Sequence, residues 1–220
     1  MNSRWRRFAP LLGVAFVVLF AVGAALSGSE PGAHASTAKV LSYYTSNVTR
    51  HNASYYLSGL AIVAALLFYA LLWEHLRLGE RSPRLATAAF GGAVLFAGGG
   101  AVGVGSDLAL TNAPAGITAS TAQALNLLGN YLAAPAIAAG VVVLLAAAGG
   151  AILHGRRLPV WIGWLGILLA AVTLIPVPNL GALTAGVWTL IVSVVLYLRP
   201  AITLAQDQHA AASPVPSVSS

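Results

Sequence analysis

The chain has 220 residues, 58% of them hydrophobic and 7% charged, and a formal net charge of +6. A soluble domain carries about 25% charged residues to cover its surface, so this composition excludes an ordinary water-soluble globule and makes a bilayer the natural solvent. Cysteine is absent, which excludes a disulfide framework, a thiolate metal site and a cysteine nucleophile.

Crossing a bilayer as a helix takes roughly 20 apolar residues. Charge-free apolar runs fall at 8–27, 58–73, 85–105, 131–153, 160–177 and 182–198. The last two form one stretch broken by Pro176, Pro178, Asn179 and Gly181, a turn composition that predicts a helical hairpin. The sequence therefore predicts an all-α polytopic membrane protein: one bundle of about six transmembrane helices over residues 1–199. Between the first two spans, Ser36 or Thr37 can cap an outer amphipathic helix with Val40, Leu41, Tyr44 and Val48 on one face. Ser120-Thr121-Ala122-Gln123 fits a capping box. A helix from there to Leu153 is about 50 Å long at 1.5 Å per residue. That exceeds a hydrocarbon core of about 30 Å, so its first turns project outward unless Gly129 or Pro135 bends them. Residues 200–220, rich in Ala, Ser and Pro without periodicity, read as a disordered cytoplasmic tail.

Basic residues set the orientation. Arg4, Arg6, Arg7, Arg77, Arg81, Arg84, Arg156, Arg157 and Arg199 fall on one side of a six-span arrangement, and only Lys39 and Arg50 on the other. The nine-to-two asymmetry predicts a cell-membrane protein with both termini in the cytoplasm. The arginines end apolar runs and form no stripe interleaved with aromatics, so lipid rather than nucleic acid is the expected partner. A second membrane protein or a homo-oligomer is compatible with the same surface. The first span has a rival reading as a signal peptide ending at Ala33-His34-Ala35, against which its apolar stretch is longer than the usual 7–15 residues. Gly79-Glu80-Arg81-Ser82-Pro83 and Gly155-Arg156-Arg157-Leu158-Pro159 share Gly-x-Arg-x-Pro, which allows a duplicated helix pair or simply two similar turns.

Small residues mark the expected packing faces. Gly92, Gly99 and Gly103 share one face of the third span, and Gly186, Thr189 and Ser193 one face of the sixth. Such faces let membrane helices approach closely. No ionisable residue lies near mid-bilayer, where one would signal a proton or ion path. Glu74, His75 and His154 lie at cytoplasmic ends of spans. Gly103-Val104-Gly105-Ser106-Asp107 is off by one from the Gly-x-Gly-Asp of intramembrane aspartyl proteases, and no second aspartate completes a dyad. No catalytic residue, metal site or cofactor is predicted.

One polar cluster stands out, at the outer face. Gln123, Asn126 and Asn130 recur on one helical stripe, Asp107 and Asn112 lie at similar depth, and Arg50 and His51 come from the other outer segment with the pairs Tyr43-Tyr44 and Tyr55-Tyr56. These could line a small outward-open pocket. The alternative is that the tyrosines form an interfacial belt and the amides bridge helices. The function classes therefore rank as a non-enzymatic structural or accessory protein, a small-molecule or lipid binder using the outer pocket, and a membrane enzyme last.

The stretches Arg84–Gly92, Thr121–Asn126, Leu158–Gly166 and Trp188–Ser193 resemble an actinobacterial family of uncharacterised six-helix membrane proteins over residues 37–199. The resemblance implies the fold but no activity and no catalytic residues.

Overall fold

The computed structural model describes residues 10–77, 83–112, 117–156, 158–177 and 179–211, with backbone alone from 199 to 211. Among these residues there is no strand. The helices are α1 (Leu11–Ser27), α2 (Thr37–Thr45), α3 (Val48–Arg77), α4 (Pro83–Thr111), α5 (Ala119–Leu128), α6 (Ala134–Gly155), α7 (Val160–Thr173) and α8 (Leu180–Ala211). Four helices are long and apolar enough to cross a membrane: α3, α4, the continuous 37-residue helix Ala119–Gly155, and Leu180–Leu198 of α8. Two more, α1 and α7, are apolar but shorter. The backbone of α8 continues to Ala211, into the segment expected as a tail, and residues 212–220 lie outside the described residues.

The helix limits follow local chemistry. Ser36 caps α2, its hydroxyl accepting from the Lys39 amide at 3.4 Å. Asn47, in the left-handed region at φ 54°, turns the chain into α3, so Val48 belongs to α3 and leaves the α2 face to Val40 and Tyr44. The expected capping box is displaced. Thr118 is the cap of α5 and accepts from the Thr121 amide at 3.2 Å, because its hydroxyl reaches that orphan amide first. Gly129–Ala133 forms a π-turn joining α5 to α6. Pro135 has no N–H for the carbonyl four residues back, and a widened turn accommodates the proline within a continuous helix.

Backbone contact at glycine holds the helices together. The closest pairing is α4 on α6, with α1 on α3, α3 on α4 and α6 on α7 also extensive; α8 meets α1, α6 and α7. At the α4–α6 crossing, a methyl group added to Gly92 would lie 2.7 Å from the Gly140 carbonyl oxygen and against the Leu144 amide. One added to Gly140 would lie 2.8 Å from the Gly92 carbonyl oxygen and against the Phe96 amide. Two turns along α4, a Cβ on Gly99 would meet Ile137 N at 2.9 Å and Ala133 O at 3.0 Å. Gly149 and Gly163 repeat this mutual contact between α6 and α7.

Two of the glycines expected on packing faces are placed differently. A Cβ on Gly103 would sit 3.6 Å from Ala133 Cβ, at ordinary van der Waals distance, because the helices have diverged by that turn. Gly186 has nothing within 4 Å of its would-be Cβ. Its expected face-mates Thr189 and Ser193 are both fully buried.

The main core runs along the helices from Phe16 through Ala61, Phe68, Tyr69, Phe96, Leu144 and Ile152 to Trp188 and Val192. Small residues fill much of it, so α4 and α6 lie against each other without large side chains between them. Polar atoms in this core are tied across helices: Tyr69 and Thr189 share a 2.6 Å hydroxyl bond, Thr173 and Thr184 one of 2.7 Å, and Trp188 Nε1 donates to the Ile162 carbonyl at 3.2 Å. A second, smaller core of Val40, Tyr44, Tyr55, Leu110 and Ala122 lies under α2. It seats α2 and its preceding loop as a cap on the ends of α3, α4 and α5.

Candidate functional site

The cap is where polar chemistry collects. It runs from Gly28, with φ +75°, to Asn47, the other left-handed residue that bounds it. Two amides, from α5 and the π-turn after it, hold its loop: Asn126 Nδ2 donates to the Gly32 carbonyl at 3.3 Å and Asn130 Nδ2 to the Pro31 carbonyl at 3.5 Å. Asn130 also donates to the Asn126 carbonyl at 2.9 Å, giving a partner to a backbone group beside the π-turn. Tyr43 fastens the α1 end, its hydroxyl donating to the Ser27 carbonyl at 2.8 Å.

The tightest tie is Tyr44 to Asp107. The Tyr44 hydroxyl donates to Asp107 Oδ1 at 2.6 Å across 63 residues of sequence. Around this bond stand Tyr43, His51 and Tyr55. The His51 ring is 4.5 Å from Tyr43, 6.4 Å from Tyr44 and 6.2 Å from Tyr55, stacked on the last. His51 is 4% exposed and Tyr55 3%.

Several polar atoms there are buried without a hydrogen-bond partner: His51 Nδ1, the Tyr55 hydroxyl, Thr111 Oγ1 and Gln123 Oε1. Leaving such groups unmade costs about 1–3 kcal/mol each, so their grouping under one cap marks the spot.

Glu30 enters from the cap loop. Its side chain is exposed, and desolvation by neighbouring protein, then the negative charge of Asp107, raise its carboxyl above the usual carboxylate range, against a hydrogen bond with Ser27 that lowers it. Burial, then the Glu30 carboxylate, pushes the Tyr43 hydroxyl up to about 12, and burial with Asp107 raises the Tyr44 hydroxyl further. Like charges in a low-dielectric site oppose ionisation of their neighbours.

The sequence-predicted residues divide. Asp107, His51, Asn126 and Asn130 lie at or beside the cap, the amides as clamps on its loop. Gln123 is half-buried with its carbonyl oxygen unpartnered. Arg50 is exposed and turns away, donating from Nη2 to the Ala25 carbonyl at 3.3 Å, where a cation suits the C-terminal end of α1. Asn112 pairs reciprocally with Asn52, at 3.0 and 2.7 Å. Sequence reasoning did not single out Glu30, whose carboxyl feels the charge of Asp107; its only signal was its being one of five acids in the chain.

Among the described residues, no three His, Cys, Asp or Glu side chains group as metal ligands. At the opposite end of the molecule, Tyr69, Leu72, Trp73, Leu76, Ala86, Ala89, Phe90 and Leu144 line a small apolar cavity with room for about one water, 10 Å³. No protein-family model matches the chain, and neither does any curated protein or solved structure.

Proposed function

We propose that the chain is a six-span integral membrane protein with both termini in the cytoplasm, working as a non-enzymatic packing or accessory subunit. Six spans are supported by the two shorter helices. At 1.5 Å per residue, α1 is roughly 25 Å long and α7 roughly 21 Å, close enough to a 30 Å core for modest local thinning. The turn after α7 is open, with Leu174 71% exposed, as a loop at the membrane surface would be. The nine-to-two distribution of basic residues supports the orientation, and the cap then lies outside the membrane as an amphipathic helix. Membership of the actinobacterial family that the apolar motifs resemble is part of the proposal and supplies no activity.

The observation that carries the accessory role is on α4. Thr87, Gly91, Val94, Gly98, Ala101 and Gly105 are all exposed at helical spacing, and a Cβ added to Gly91, Gly98 or Gly105 meets nothing within 4 Å. In lipid, small-residue faces of this kind let another helix approach closely. The inner glycine face of α4 is already filled by α6; the outer one is open.

Gly98→Leu tests this. Native mass spectrometry of the purified protein in mild detergent should show wild type in complex, with a second copy or a stoichiometric membrane partner, and Gly98→Leu as the single chain. The thermal aggregation midpoint of the variant should match wild type, since the added side chain touches nothing within the chain. Identical assembly states for the two proteins would remove the support for an accessory role. A second reading, a binder at the outer cap, is favoured by the unpartnered buried atoms there.

A further inference from the structure

We propose that residues 28–47 are a hinged lid, latched to the bundle by the Tyr44–Asp107 hydrogen bond, that opens as a unit and uncovers His51 and Thr111 while the helices beneath stay folded. The lid is independent of the accessory role and of the outer stripe of α4.

The hinges are in the backbone. Gly28, at φ +75°, ends α1, and Asn47, at φ 54°, separates α2 from α3. Glycine and asparagine are the residues that enter the left-handed region most readily, so the chain can change direction at both points without breaking a helix. Between them α2 is one piece of nine residues, capped by Ser36.

The seat beneath the lid is slight. Its apolar part is the small core of Val40, Tyr44, Tyr55, Leu110 and Ala122, set against a main core that runs along the helices. Its polar part ties the lid to three other elements. Tyr43 reaches the Ser27 carbonyl at 2.8 Å, Asn126 and Asn130 hold Gly32 and Pro31 at 3.3 and 3.5 Å, and Tyr44 donates to Asp107 Oδ1 at 2.6 Å. The last is the shortest of these and is accepted by a carboxylate, which makes it the strongest kind. It joins α2 directly to α4 and is therefore the latch. A segment with few apolar contacts, held at its margins by hydrogen bonds, opens at a lower free energy than the core it lies on.

Closure also buries polar atoms without partners. The Tyr43 ring lies 4.5 Å from the His51 ring and the Tyr44 ring 6.4 Å from it, so the lid covers the imidazole directly. His51 is 4% exposed, and its Nδ1 is unpartnered. Thr111 stands one turn beyond Asp107 on the same helix face; it is 6% exposed, and its Oγ1 is unpartnered. Water would satisfy both in the open state, so closure works against their hydration. Opening presents the stacked pair His51 and Tyr55, both on α3, beside a hydroxyl and a carboxylate relieved of its donor.

Thiol accessibility in the full chain, in mild detergent at pH 8, tests the lid, since the chain has no native cysteine. Thr111→Cys lies under the lid. Ala86→Cys is the control, fully buried in the main core at the other end of α4. Each reacts with a small charged thiol reagent only when its surroundings open. Well below the aggregation midpoint, Thr111→Cys should react at least about tenfold faster than Ala86→Cys. Adding Tyr44→Phe keeps the ring and removes the latch hydroxyl. It should speed Thr111→Cys roughly tenfold, the weight of one hydrogen bond to a charged acceptor, and leave Ala86→Cys unchanged. Adding Tyr43→Phe, which loses a bond to a neutral carbonyl, should have a smaller effect, about threefold. Equal rates at the two cysteines, or acceleration of both by Tyr44→Phe, would mean that the seat opens only with the whole bundle and overturns the lid. No acceleration of Thr111→Cys by Tyr44→Phe overturns the latch. Hydrogen exchange of the cysteine-free chain decides the matter if Thr111→Cys does not fold. The amides of α2 should then exchange together and at least about tenfold faster than those around Gly92 and Gly140, and exchange at the same rate overturns the lid. Gly98→Leu should leave both cysteine rates as they are, which separates the lid from the accessory role.

Discussion

Gly140→Ala lowers the thermal aggregation midpoint of the purified protein more than an alanine at any helical glycine with free space around it. The new methyl group would press on the Phe96 amide, with the Gly92 carbonyl oxygen and Phe96 Cα each 2.8 Å away. These are backbone atoms, which cannot rotate out of the way as a side-chain end can. The two helices must separate, and separation removes the close contacts that stabilise a membrane bundle. Overpacking of a tight interior costs about 1–3 kcal/mol, and this position belongs at the upper end because the obstruction is main chain on both sides. Gly92→Ala should behave in the same way, as the reciprocal half of one contact. Gly103→Ala, with Ala133 Cβ at 3.6 Å, should be close to neutral. Gly186→Ala should be neutral or gain up to about 1 kcal/mol, since the space is open and alanine is the better helix former. Equal midpoints for Gly140→Ala and Gly186→Ala would refute the assigned crossing.

Trp188→Ala has the second large effect. Trp188 is fully buried, its indole lies against Gly166, where a Cβ would come within 3.0 Å of Nε1, and Nε1 donates to the Ile162 carbonyl. One side chain therefore fills the space between α7 and α8 and fixes their register. Truncating a buried tryptophan costs roughly 3–5 kcal/mol through lost contact and a residual cavity. Trp188→Phe keeps most of the volume and loses the hydrogen bond, for a smaller loss of about 1 kcal/mol. Trp161 and Trp164, 53% and 61% exposed, provide the controls. A midpoint loss for either of their alanine variants as large as that for Trp188→Ala would contradict the packing.

The parts of this structure legible in sequence are those set by local composition. Apolar runs marked the apolar helices, the prolines and Asn179 marked the break before α8, the pair Ser36 and Thr37 marked the start of α2, and Gly129 and Pro135 marked a disturbance in the long helix. Gly92 and Gly99 were found because a small-residue face is periodic along one helix. Gly140, the partner of Gly92, was not, because the meeting point of two helices depends on the relative register of α4 and α6, which neither sequence states alone. Gly186 fits the same periodicity as Thr189 and Ser193 but lies where the neighbouring helix has already departed. Position along a helix is also local, so the sequence could group Asp107, His51, Asn126 and Asn130 by level. Direction within that level was not. Arg50 was assigned with Asp107, but a long side chain at the rim follows the nearest carbonyls, here at the end of α1. Tyr44 binds Asp107 only because the cap folds back over α4.

Site-directed labelling provides the most direct check on the six-span, capped arrangement, since the chain has no native cysteine to interfere. Single cysteines are placed at Ser42 on the cap, at Leu174 in the turn after α7, and at Gly155 at the end of α6, and intact cells are treated with a membrane-impermeant maleimide. Ser42→Cys and Leu174→Cys should react from outside, and Gly155→Cys only after the membrane is opened. Reaction of Gly155→Cys in intact cells, or of Leu174→Cys only after opening, would contradict the arrangement.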